Sequence, residues 1–224
     1  MILAIDTSTQ WLSLALYDKE NEVFPYEKTW RSTRRHTIEL APAVEQILQG
    51  SNLSSSELEA IAVAIGPGSF TSLRIGLAFA KGFALAKHIA LIGVPSLDIL
   101  AYTQPATDLP LICVLQAGRT NLAACKYMYQ DKWTAQGEPF VTTPKELSEE
   151  IDSKTWLCGE MNAEERRIIG RKWKKARLCS PSASIRRASV LAEIAAQRLE
   201  EGEVDDPMLL APIYLHTANS IPES

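Results

Sequence analysis

Histidine is nearly missing from this sequence of 224 residues: His36, His88 and His216 are all it has, and no two stand three or four apart. No helix can therefore offer a histidine pair to a metal ion, and no metal site is expected. The four cysteines, Cys113, Cys125, Cys158 and Cys179, form no CxxC pair and have no histidine at zinc-finger spacing. They read as reduced thiols, two of them inside apolar strands. A Gly-x-Ser-x-Gly elbow is absent, and so is the Gly-Lys-Ser/Thr ending of a P-loop. No catalytic residue is expected on these grounds. Long apolar runs are missing too. The most apolar segment, 71–87, is interrupted by Arg74, Lys81 and Lys87, which makes it a poor membrane span. The chain opens directly on Ile2-Leu3-Ala4-Ile5, without the basic region and apolar stretch of a signal peptide. A soluble, cytoplasmic protein with no membrane association is the expectation. The net charge of −4 sets up no overall field toward nucleic acid or an anionic membrane.

With 46% apolar and 22% charged residues, the composition is that of an ordinary globular protein. The length suits one large domain or two small lobes. Ile2 to Ile5 reads as a buried strand ending at Asp6. Trp11 to Tyr17 alternates and forms the next strand, and 22–28 completes a meander. Leu40, Val44, Ile47 and Leu48 share one face of a helix that Gly50-Ser51-Asn52 ends. Pro42 sits near its start or kinks it. A short strand at 61–65, a helix over 70–87 and a strand at 90–94 follow. After a link at 104–110 the opening pattern recurs: placing Gln116 over Asp6 also places Tyr127 over Tyr17. A duplicated α/β lobe is the implication, with an N-terminal lobe over 1–103 and a C-terminal lobe over 110–224. A long helix at about 184–201 is the last element.

Four segments could carry chemistry. Gly66-Pro67-Gly68-Ser69-Phe70-Thr71 joins a strand to a helix. It reads either as an anion cradle at a helix start or as a tight turn with Ser69 or Thr71 as N-cap; the loop alone favours the turn. The helix behind it is apolar nearly all round, with Leu73, Ile75, Leu77, Phe79, Phe83 and Leu85 spread about it and a small stripe at Gly76, Ala80 and Ala84. One sheet cannot cover so much apolar circumference, so a partner is expected on the other side. Asp6 with Thr7, Ser8 and Thr9 has an acid and hydroxyls at a strand end, as in the first phosphate loop of actin-like and sugar-kinase folds. It lacks the glycine such a loop needs, and Gln116 replaces the second acid. At most weak nucleotide binding at Asp6, Thr7 and Ser8 is expected. Finally, Arg166, Arg167, Arg171, Lys172, Lys174, Lys175 and Arg177 form a basic run around Trp173. It is a solvated face by default and an RNA contact by exception.

Ile2-Leu3-Ala4-Ile5-Asp6-Thr7-Ser8, Arg34-Arg35-His36, and above all Gly66 to Gly76 with Ala80-Lys81-Gly82 make the chain resemble the TsaB family, non-catalytic paralogues of the threonylcarbamoyltransferase TsaD. The resemblance is strong over the first hundred residues and reaches Pro212-Ile213-Tyr214-Leu215. It implies an actin-like, duplicated RNase H-type fold. It also implies a place in the complex that attaches a threonylcarbamoyl group to the tRNA adenosine beside the anticodon. The chemistry would belong to the TsaD-like paralogue, whose metal-binding histidines have no counterparts here. A TsaE-like ATPase would join the pair, and tRNA contact would be indirect or weak. No cofactor is implied, with ATP or ADP at a partner interface as the one allowance. Leu40, Val44, Ser69, Phe70, Leu73, Arg74, Gly76, Leu77, Ala80, Lys81 and Ala84 are the expected partner-binding residues, whether the partner is the paralogue or a second copy of the chain. Two departures stand out: Ser72 occupies a position where the family usually has glycine, and Gln116-Ala117-Gly118-Arg119 replaces an acid-Ala-Arg start to the second lobe. The competing readings are an ATP-dependent small-molecule kinase of the same fold and a self-associating scaffold.

Overall fold

The computed structural model describes residues 1–33, 35–118, 120–172 and 174–215. Arg34, Arg119, Trp173 and His216, each singled out in the sequence, lie outside them. The elements run β1 (Ile2–Asp6), β2 (Trp11–Asp18), β3 (Val23–Arg31), α1 (His36–Gly50), β4 (Ala60–Gly66), α2 (Phe70–Lys87), β5 (Ala90–Pro95) and α3 (Ser96–Tyr102). They continue with β6 (Leu111–Ala117), β7 (Asn121–Gln130), β8 (Lys132–Ala135), β9 (Phe140–Thr142), α4 (Pro144–Glu150), β10 (Thr155–Gly159), α5 (Ala163–Gly170), β11 (Ala176–Leu178) and α6 (Ala188–Glu200). Among the described residues no helix is long and apolar enough to cross a membrane.

The first sheet has the order β3-β2-β1-β4-β5. β1 is its centre, antiparallel to β2 and parallel to β4. Both faces of β1 are covered, which is why Ile2-Leu3-Ala4-Ile5 is continuously apolar. β3 is an edge strand, and its residues are all exposed or half-buried. The parallel neighbours are reached through α1 and α2, the crossovers that parallel pairing requires. Pro42 lies inside α1. The α2 helix ends at His88, which takes a left-handed φ of 54°, and Ile89 N–H caps Ala84 C=O at 3.2 Å.

The second sheet has the order β11-β10-β6-β7-β8, with β9 paired to β7. Its central strand β6 is again antiparallel to the next strand and parallel to a later one, β10. Both sheets thus follow one plan, the duplicated arrangement that the resemblance implied.

The lobe boundaries differ from the expected ones. One compact unit comprises Met1–Ile99 with Arg186–Ile213, and the other Leu100–Ile185 with Tyr214–Ser224. The chain therefore does not stay in the second lobe to its end. α6 returns to the first sheet and packs on β1 and β2, burying Ala188, Leu191, Ala192 and Ala195. Ala188 N–H donates to Ser13 Oγ on β2 at 3.0 Å. The expected C-terminal lobe over 110–224 takes in α6, which instead packs on the first sheet. Beyond it, Asp205 N–H bonds Leu91 C=O and Ile213 N–H bonds Ile65 C=O, so the C-terminal stretch is fastened across β4 and β5.

Candidate functional site

The end of β1 and the start of α2 meet at three residues, Asp6, Thr7 and Ser8. Asp6 is a buried carboxylate. Its Oδ1 accepts from Ser8 N–H at 2.8 Å and from the Ser8 hydroxyl. Its Oδ2 accepts from Arg186 Nε at 2.7 Å, and both side chains are 1% exposed. Arg186 Nη2 also donates to Thr9 Oγ1 at 2.9 Å. Thr9 C=O lies 2.9 Å from His36 Nε2 at the start of α1. The acid that could have faced a metal is therefore held by an internal guanidinium.

The glycine-rich loop folds onto the same residues. Ser69 N–H donates to Ser8 C=O at 2.7 Å, and a Cβ at Gly68 would strike the Ser8 backbone. Gly66 has φ of 106° and faces the Ile213 carbonyl. These contacts demand glycine by close approach and by a left-handed turn. Ser69 occupies the N-cap position of α2 but makes no side-chain cap; its hydroxyl accepts from Ser72 Oγ at 3.0 Å instead. The expected N-cap bond is thus absent. Thr7 Oγ1 donates to Ser72 C=O at 2.8 Å, and a Cβ on Gly76 would overlap that hydroxyl.

This geometry corrects the expected contact stripe. Gly76, Ala80 and Ala84 are buried in their own unit, with Ala80 at 0% exposure. Leu40, Val44, Leu73 and Leu77 are buried with them. Small residues here let α2 lie close on Thr7 and β4; they do not make room for a partner. Of the expected contact residues, Ser69, Phe70 and Arg74 are exposed and Lys81 is half-buried. The Arg74 guanidinium lies 4.3 Å from the Phe70 ring centroid.

A second small stripe, overlooked in the sequence, runs along the outer face of α2. Ala78, Gly82 and Ala86 stand at i, i+4 and i+8, and all three are exposed. A Cβ on Gly82 would meet nothing within 4 Å. Phe70 and Leu85 are exposed on this helix, as is Ile38 on α1. Phe79 and Phe83, half-buried, stack at 5.8 Å. The signal was available in the sequence: α2 carries two small stripes on different faces, and only one can rest on the sheet.

In the second unit, Gln116 Nε2 donates to Glu165 Oε2 at 2.6 Å. Cys113 and Cys158, paired in register on β6 and β10, have sulfurs 3.4 Å apart. That hydrogen bond, with burial, pushes the Cys158 thiol well above its ordinary pKa. All four cysteines are buried thiols outside any disulfide.

The chain matches a family model over residues 30–215, that of TsaD, tRNA N6-adenosine threonylcarbamoyltransferase. The chain belongs to this family. Several of its named relatives are TsaB proteins. The tRNA threonylcarbamoyladenosine biosynthesis protein TsaB of Escherichia coli is 40% identical over 100 residues, 45% of this chain and 42% of the relative. That of Bacillus subtilis is 32% identical over 62% of this chain and 59% of its own length. These matches span about half of each relative. The Haemophilus influenzae protein of the same name is 25% identical over 96% of this chain and 92% of its own. A solved structure, YeaZ from Pseudomonas aeruginosa, shares the fold with a TM-score of 0.78 at 24% identity, over 96% of this chain and 99% of that one.

Proposed function

We propose that the chain is a non-catalytic subunit of the cytoplasmic machinery that attaches a threonylcarbamoyl group to the tRNA adenosine beside the anticodon. Its role is to pair with a TsaD-type paralogue, which performs the transfer, and a TsaE-type ATPase joins the pair. The observation that carries this reading is the closure of Asp6. In an actin-like nucleotide site this strand-end acid holds metal-bound water. Here Arg186 meets its charge from inside the fold at 2.7 Å, and a metal would have to displace a buried cation. At the matching place in the second unit, Gln116 is neutral and bonded to Glu165. Both features favour at most weak nucleotide binding by the chain alone and argue against the kinase alternative. The outer face of α2, with the exposed end of α1, supports pairing; a second copy of the chain is the other candidate for that face.

The experiment is reconstitution with the purified chain, the TsaD-type paralogue, the ATPase, threonylcarbamoyl donor and tRNA. No transfer is expected from the chain alone, and transfer by the paralogue should depend on adding it. Transfer by the chain alone would overturn the reading, and so would submicromolar binding of ATP with Mg²⁺ in calorimetry.

A further inference from the structure

The twelve residues from Arg166 to Arg177 hold seven of the chain's 23 lysines and arginines and none of its 27 aspartates and glutamates. In a chain of net charge −4 this is a local reversal of sign. Arg166 turns inward and donates to Cys179 C=O at 2.7 Å. Arg167 has only a loose, exposed pairing with Glu164 at 3.8 Å. Arg171, Lys172, Lys175 and Arg177 are exposed, and none makes an ion pair with another described residue. Like charges this close repel one another, because they lie within one screening length, about 8–10 Å at physiological salt.

Buried residues flank the cations. α5 buries Ile169 and β11 begins with buried Ala176, so the intervening turn is anchored at both ends. Lys175 N–H and Ala176 N–H both bond Lys172 C=O, at 2.7 and 2.8 Å. β11 is an edge strand of its sheet. Register places Arg177 opposite Trp156 on β10, with the guanidinium 5.9 Å from the indole centroid.

We infer that this turn docks the phosphate backbone of RNA. The inference deepens the proposed function by naming a surface for its tRNA, and it rests on that reading. A run of exposed cations suits a ligand with one charge on every nucleotide. The half-buried Trp156, with a guanidinium beside it, adds a plate on which an unpaired base can stack. A protein partner would instead call for an apolar centre with few lysines, and among the described residues 163–178 no large apolar side chain is exposed.

The test uses the full chain, alone and with the TsaD-type paralogue, and a fluorescently labelled, unmodified tRNA transcript. Anisotropy titrations between about 50 and 200 mM salt give both affinity and salt slope. In the triple variant Arg171→Glu, Lys172→Glu, Lys175→Glu, affinity should fall at least about tenfold and the slope should flatten by about two. The milder Arg171→Gln, Lys172→Gln, Lys175→Gln variant should fall between, and circular dichroism checks folding of both. If both folded variants bind the transcript within about twofold of the unaltered chain, the surface is not an RNA site. Loss of paralogue binding with unchanged RNA affinity would mean that the turn meets an acidic protein, and would also overturn the inference. Size-exclusion chromatography of the same samples keeps the two ideas apart. An unaltered chain that fails to pair with the paralogue sinks the proposed function, while intact pairing with unaltered RNA affinity in the variants sinks only this inference.

Discussion

Arg186 Nε lies 2.7 Å from Asp6 Oδ2 across 180 residues of chain. The contact ties the returning C-terminal segment to the end of the central strand, and it does so where water has been excluded from both groups. Removing one partner of such a pair leaves the other charge in the interior. Asp6→Ala should therefore cost about 3–5 kcal/mol. Replacing both groups, Asp6→Ala with Arg186→Met, removes the buried charges together and should cost much less than the two single changes summed. Urea denaturation of the four proteins gives the cycle. Additive losses would show that the two groups act independently.

The same C-terminal return has a second anchor nearer the surface. Glu27 on β3 accepts from Ser189 Oγ at 2.7 Å, from Arg187 Nε at 3.2 Å and from Arg187 Nη2. Partial burial pushes its pKa up, but the bonds from Arg187 and Ser189 outweigh this and hold the carboxyl below its ordinary value. A depressed folded-state pKa means stability that is present above the unfolded carboxylate value, about 4.3, and lost as pH falls through the folded one. Arg187 is 58% exposed, so solvent screens the pair, and its worth is at most about 1 kcal/mol. Glu27→Gln should lower stability near neutral pH, and the difference should shrink below about pH 4. A difference that grows on acidification would contradict the assignment.

Thr7 and Gly76 test how closely α2 rests on the strand-end loop. A methyl at Gly76 would overlap Thr7 Oγ1, the hydroxyl that bonds Ser72 C=O at 2.8 Å. Gly76→Ala should cost about 1–3 kcal/mol by overpacking. Thr7→Ala vacates the space, so the double variant should lose less than the two single losses summed. Thermal melts monitored by circular dichroism decide this.

Which parts of this were legible in the sequence follows from the range of the forces involved. The strands and helices were, because burial prints its period on the chain: Ile2 to Ile5 is apolar throughout and lies at the centre of its sheet. The duplicated plan was legible from Asp6 and Gln116, each at the end of a central strand. Long-range partnership was not. Nothing near Arg186 announces a carboxylate 180 residues away, and the periodicity of α6 fits either sheet. The facing of α2 was misread because small residues serve two purposes, close seating on one's own strand and close approach of a neighbour. The fold uses Gly76, Ala80 and Ala84 for the first, leaving Ala78, Gly82 and Ala86 outside.

That division of α2 into two faces makes opposite predictions for two similar changes. Ala80→Arg puts a long charged side chain into a position with 0% exposure. With no anion to meet it, the first unit should lose more than about 4 kcal/mol and unfold. Ala78→Arg, two residues earlier, projects into solvent and should leave stability within about 0.5 kcal/mol. If the outer face meets the TsaD-type paralogue, however, the new charge falls among Phe70, Leu85 and the small stripe. Pairing should then weaken at least about tenfold, the usual scale for disrupting the centre of an interface. Leu85→Glu should act in the same direction from the far end of the helix. Circular dichroism and size-exclusion chromatography on the same samples separate loss of fold from loss of pairing. Ala78→Arg and Leu85→Glu proteins that remain folded and pair with the paralogue as the unaltered chain does would place the interface elsewhere. An Ala80→Arg protein that folds normally would show that α2 does not seat its small stripe on the sheet.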